Sequence, residues 1–196
     1  MCIRDRALSG TTESEIAFGD VIQREFTVCS VTRYTGGAKK RILQGGGANW
    51  LHGHYAGDAG VAHYKGWKTS SQGSVSPDTD WVVMCGTNAG SQLKLVNGVD
   101  VGTATGGTGG VSLFVNAGDA AQQKSDFAIA EVVVWPRGLT SEEMHRVSDH
   151  LMSRMPLPRP LPAAYPEDPN AWYCSGAFHI ASSRWQDCTG NGKTAT

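Results

Sequence analysis

Residues 126–155, DFAIAEVVVWPRGLTSEEMHRVSDHLMSRM, change hydrophobic period part-way along, and that change constrains the fold more than any other feature. Phe127 to Trp135 is a nearly unbroken apolar, β-rich run of strand length. The break Trp135-Pro136-Arg137-Gly138 follows it. Thr140 then stands three residues before Glu143, the spacing of a capping box, and Leu139 is placed to staple onto Met144. Met144, Val147, Leu151 and Met155 recur about one helical turn apart. The stretch therefore predicts a buried strand, a tight turn and one amphipathic helix.

Everything upstream reads as short strands. Ala7 to Ile22 is mostly polar and expected as loop, with Ile16-Ala17-Phe18 a short edge strand. Phe26–Tyr34 alternates as a strand that ends at Gly36-Gly37. Arg41–Leu43 is a brief strand. Trp50–Tyr55 and Val61–Trp67 flank Ala56-Gly57-Asp58-Ala59-Gly60, predicting a hairpin with a five-residue loop. Trp81–Cys85 follows. Leu93–Val96 and Val99–Val101 flank Asn97-Gly98, a type I′ signal, and Val111–Val115 precedes a polar loop. Many short strands followed by a single helix predict an all-β, two-sheet antiparallel jelly-roll sandwich with one short C-terminal helix. No blade repeat argues for a propeller, and no helix between strands argues for βαβ units.

The 25 glycines, spread without period, suit such a turn-rich chain. A formal net charge of -1 gives no electrostatic case for nucleic acid or an anionic membrane surface. No apolar run reaches the roughly 20 residues that span a bilayer, so membrane insertion is not expected. Residues 1–6, MCIRDR, resemble a translated sequencing-adaptor remnant and are set aside. Residues 156–171 hold six of the chain's eight prolines and read as a linker, extended where prolines cluster. Residues 172–196 are too short for a core of their own. Four cysteines remain after Cys2. Cys174 and Cys188 sit in this turn-rich tail, which a disulfide would staple, whereas Cys29 and Cys85 lie in strand-like runs as either a second disulfide or two reduced core thiols.

FTVCSVTRY, DTDWVVMCG, LKLVNGVDVG and IAEVVVWPRGLTSEEMHRVSDHL, in that order, resemble the concanavalin A-like lectin/glucanase superfamily in its LamG-like jelly-roll branch. The resemblance covers about residues 16–155. The tail RWQDCTGNGKTAT is similar to the W-x-D-x-S-G-N-G-x-x-A-T opening of such a module, departing from it at Thr189. Residues 7–155 are thus expected as one module lacking its opening strand, and 172–196 as the opening of the next in a tandem array. The missing strand would leave an unpaired sheet edge, which the tail can fold back to fill.

The paired glutamates known in hydrolases of this superfamily have no counterpart here. The closing strand offers Asp126 and Glu131, whose odd separation places them on opposite faces of a regular strand. No enzymatic activity is expected. Trp50, His52 and His54 share one strand face. With His63 and Trp67 from the neighbouring strand they would form a platform on which sugars stack and hydrogen-bond. Tyr55 and Tyr64 point the other way and are weaker choices. The plain alternative is that Trp50 and Trp67 are core residues. Calcium is used by relatives of the fold, but Asp58, Asp78, Asp80, Asp100 and Asp119 form no D-x-D-x-D cluster. Neither a metal nor another cofactor is therefore assigned. The resemblance implies a non-catalytic, secreted or cell-surface module that binds a glycan or an extracellular protein beside neighbouring modules of the same chain. A purely structural or adhesive repeat, or a divergent glycoside hydrolase-like domain, are the alternatives.

Overall fold

The computed structural model describes residues 7–120 and 122–155 and, of the remainder, the strands Ala171–His179, Arg184–Asp187 and Thr194–Ala195. Residues 1–6, the Pro-rich segment 156–170 and Cys188 lie outside the described residues. The elements in order are β1 (Leu8–Gly10), β2 (Ile16–Ile22), β3 (Thr27–Tyr34), β4 (Leu43–Gly46), β5 (Trp50–Tyr55), β6 (Asp58–Tyr64) and β7 (Val82–Thr87). They continue with β8 (Lys94–Val96), β9 (Val99–Asp100), β10 (Val111–Val115), β11 (Phe127–Trp135), α1 (Ser141–Ser153), β12 (Ala171–His179), β13 (Arg184–Asp187) and β14 (Thr194–Ala195).

These strands form an antiparallel jelly-roll sandwich with one short helix. One sheet runs β2-β10-β4-β5-β6. The other runs β11-β3-β7-β8-β9, and two segments share the outer edge of β11: β1 pairs Phe127–Ile129, and β12 pairs Glu131–Val134 and leads on to β13 and β14. Ala7–Ile22 is therefore not mostly loop. Its two strands each take an edge, β1 against β11 and β2 against β10.

Alternation along β3 and β7 builds two cores. Val28, Tyr34, Val82 and Met84 face the five-stranded sheet and pack with Phe26, Trp50, Tyr64 and Phe127. Cys29, Val31, Val83 and Cys85 face outward, where Met144, Val147 and Leu151 of α1 cover them. Burying these three helix side chains stabilises the docked helix by about 5–9 kcal/mol gross, before the entropy of ordering is subtracted. Thr140 caps α1 as the spacing predicts: its hydroxyl accepts from Glu143 N, and the Glu143 carboxylate accepts from Thr140 N at 2.8 Å. Arg137 grips the same carboxylate with two bonds of 2.9 and 2.7 Å. Thr27 holds the connecting turn, donating to the Arg137 carbonyl at 2.9 Å and accepting from Leu139 N at 3.0 Å. Cys29 and Cys85 lie opposite each other in β3 and β7 and form a disulfide, which settles the choice the sequence leaves open between bonded and reduced thiols.

The β5–β6 connection is tighter than the five-residue loop expected. Ala56 and Gly57 both take positive φ (53° and 92°) and close a two-residue turn, so β6 begins at Asp58. Gly60 is the surplus residue of a bulge between the Gly53–Val61 and His54–Ala59 pairs. The Asn97-Gly98 turn has positive φ at both residues, as its sequence predicts.

Candidate binding face

Register in the β5–β6 hairpin divides the five residues expected on one platform. Trp50 pairs with Tyr64, and Leu51 pairs with His63. Directly paired residues share a face, so His63 lies opposite Trp50 and not beside it. Trp50, His52 and His54 point between the sheets and are fully buried, which removes them from any solvent-facing platform. The indole of Trp50 stacks on Tyr64 with ring centres 4.9 Å apart and takes the edge of Phe26 at 6.0 Å.

The two buried histidines are held neutral. His52 Nε2 lies 3.1 Å from the Met84 carbonyl, which only accepts, so that nitrogen carries the proton. Nδ1 is then bare and accepts from the Tyr64 hydroxyl at 2.7 Å. Burial holds His52 down at about 4, the Met84 carbonyl opposing and Lys94 adding to the effect. Burial likewise pushes the Tyr64 phenol up. His54 packs against the Tyr34 ring at 4.7 Å, with Nδ1 3.3 Å from Thr32 Oγ1 and Nε2 without a partner among the described residues. Burial, then the neighbouring His52, holds His54 at about 3.

His63 and Trp67 do come together, on the outer face of the five-stranded sheet. β6 ends at Tyr64, and the chain reverses at Lys65 and Gly66, which have φ of 55° and 137°. Trp67 is thereby bridged back against His63 instead of extending the strand. The Trp67 ring meets His63 edge-on at 5.1 Å and Tyr55 at 5.7 Å. Arg41 in turn stands over the far neighbour Tyr55, with Cζ 5.6 Å from the ring centre. Among described residues, Trp67, 36% exposed, and Val99 are the large hydrophobic side chains left open to solvent. His63 Nδ1 lies 3.0 Å from the Asn49 carbonyl and 3.4 Å from Gly66 N, so main-chain groups on both sides hold the ring by that nitrogen and neither engages Nε2.

A cleft of about 700 Å³ opens next to this face, between the Gly37–Lys40 turn, the Ala56–Gly57 hairpin tip, Gln122 and Lys124. Among the described residues, its lining includes Lys39, Lys40 and Lys124 and no carboxylate. Asp78 and Glu15 pair with Lys39 and Lys124, each at 2.8 Å. Sequence reasoning ranked Tyr55 a weaker candidate and missed this cleft. The cleft walls come from segments far apart in the chain, and no local pattern marks them.

The carboxylates of the closing strand take structural roles, though not for the parity reason. Register shifts between Ile129 and Glu131, which breaks the alternation assumed from sequence. Asp126 accepts from Ala38 N at 3.1 Å and ties down the turn after β3. Glu131 pairs with Arg154 at the end of α1, 3.1 Å away. Asp58 accepts from Gly73 N, and Asp100 accepts from Gly102 N. Among the described residues, no three His, Cys, Asp or Glu side chains converge in a way that would hold a metal ion.

No family model and no curated protein matches the chain. Among solved structures it is similar to the native heptameric SAP-like pentraxin from Limulus polyphemus, at 13% identity over 74% of this chain and 78% of that one, with a TM-score of 0.46. The sandwich assignment rests on the strand pairing described above.

Proposed function

We propose that residues 7–155 form a non-catalytic, LamG-like binding module whose ligand is a glycan, engaged on the outer face of the five-stranded sheet. One observation carries the reading: a half-exposed indole, Trp67, is braced edge-on by His63 and Tyr55, so its free face offers a rigid stacking surface at little entropic cost. His63 Nε2, which neither main-chain contact engages, offers a hydrogen-bonding atom for a sugar hydroxyl beside that ring. The disulfide between Cys29 and Cys85 supports an oxidising, extracytoplasmic setting, and the tail's likeness to a module opening supports a place among neighbouring modules.

The test is a glycan array probed with the full chain, followed by calorimetry on the hits. Trp67→Ala should weaken binding at least tenfold while leaving the unfolding midpoint within a degree or two, because the side chain is already partly solvated. Equal affinity of Trp67→Ala and the parent would overturn the assignment of this face.

A further inference from the structure

We infer, resting on the glycan reading of the Trp67 face, that the ligand is an acidic saccharide and that Arg41 and Lys40 take its anionic substituent, a carboxylate or a sulfate ester. Arg41 is only 7% exposed, yet it makes no ion pair among the described residues. A buried cation without a counter-charge costs free energy and is normally paired. What holds this one is neutral: Nε donates to Gln123 Oε1 at 2.7 Å, and Cζ stands 5.6 Å from the Tyr55 ring centre. Nη1 and Nη2 carry no bond among the described residues, and neither is shut off from solvent. Together they form the edge of a guanidinium that meets a carboxylate or a sulfate with two parallel bonds.

Arg41 also joins the cleft to the aromatic face. It follows Lys40 in the chain, and its partners Tyr55 and Gln123 are the chain neighbours of Ala56 and Gln122, all three of which line the cleft. The Lys40 main chain is fixed: its carbonyl accepts from Ala56 N at 3.2 Å and from the Tyr34 hydroxyl at 2.6 Å, and its N–H donates to Ser125 Oγ at 2.8 Å. Lys39 and Lys124 are already matched by Asp78 and Glu15. Lys40 is exposed and has no ion pair among the described residues, so it and Arg41 are the cations left for a ligand. From them the path to Trp67 crosses Tyr55, whose ring meets the indole at 5.7 Å. A sugar stacked on Trp67 thus sets the next unit of its chain over Tyr55, with that unit's charged group at Arg41. The cleft, about 700 Å³, has the size of a small-molecule site. A neutral glycan would leave both cations to water, so charge becomes the basis of selection.

The probes are a galacturonate oligomer and a sulfated galactan oligomer, each paired with its neutral form, the methyl ester and the desulfated chain. The full chain is titrated with all four by calorimetry. At least one acidic probe should bind tenfold or more tightly than its neutral form, and the pair showing the difference tells carboxylate from sulfate. Added salt should weaken the acidic arm alone. Arg41→Gln should bring acidic affinity down to the neutral level. Lys40→Gln alters an exposed side chain, keeps the test decisive if Arg41→Gln fails to fold, and should weaken the acidic probe about threefold. Equal affinity for acidic and neutral forms, no binding of either acidic probe, or a charge preference untouched in Lys40→Gln overturns the acidic ligand. Trp67→Ala separates the two readings. If it abolishes binding of probes that show no charge preference, the face stands and the acidic ligand falls; if a charge preference survives it at full affinity, the face falls.

Discussion

Acidification from pH 7.5 to pH 5 should weaken the fold by about 4 kcal/mol through two side chains, His52 and His54. Both are fully buried, and both are held neutral, at about 4 and about 3 against an ordinary 6.5. A histidine whose folded value is depressed takes up its proton first in the unfolded chain. Its contribution is therefore complete above 6.5 and is lost as pH falls toward the folded value. At pH 5 the fall below 6.5 is about 1.5 units, worth roughly 2 kcal/mol for each ring at about 1.36 kcal/mol per unit. His150, also held down by burial, acts in the same direction. Glu143, held down to about 2, first by its bond from Arg137, loses its contribution only below the ordinary carboxylate range and so lies outside this window. The assay is urea unfolding followed by tryptophan fluorescence at both pH values, on the parent chain and on His54→Leu. The variant should lose about half of the pH-dependent change. A parent whose stability moves by less than about 1 kcal/mol between these pH values, or a variant with the full dependence, would refute the account of these buried rings.

Other expectations follow from single contacts. Replacing both Cys29 and Cys85 with alanine opens a link spanning 56 residues and should cost about 4 kcal/mol, read as a lower urea midpoint. An unchanged midpoint would deny the disulfide a stabilising role. Thr140→Ala removes the cap of α1 and should cost about 1 kcal/mol, measured by thermal unfolding. Tyr64→Phe leaves His52 Nδ1 without its donor and should destabilise by about 1–3 kcal/mol. Gly86→Ala drives a methyl group into the Tyr64 hydroxyl, so its cost should be smaller in the Tyr64→Phe background than alone; equal costs would show that the two positions are uncoupled.

Local chemistry made much of the framework readable from sequence. The period change in residues 126–155 predicted β11, the turn and α1 because a strand and a helix space their apolar side chains differently. The Thr140–Glu143 pair announced its cap, and Asn97-Gly98 announced its turn, because each motif is a contact between residues a few positions apart. Ala7–Ile22 was harder to read. β1 has only three residues and Gly19-Asp20 interrupts the apolar run of β2, and both strands are held by the edges of β10 and β11, 89 or more positions away.

The binding face shows where such reading stops. Alternation grouped Trp50 with His52 and His54, which are buried together, whereas Trp67 comes beside His63 through the reversal at Lys65–Gly66 and not as part of an extended strand. It did not reveal that the hairpin pairs Leu51 with His63, an offset that turns the first set into the core and leaves the second outside. The tight Ala56–Gly57 turn and the bulge at Gly60 decide that offset, and the reversal at Lys65–Gly66 returns Trp67 beside His63. The sequence by itself thus determined the fold class, the helix and its cap, because periodicity and capping are short-range. Only the tertiary structure decided which aromatic residues are core and which meet solvent, because strand register depends on partners that a single strand's pattern does not contain.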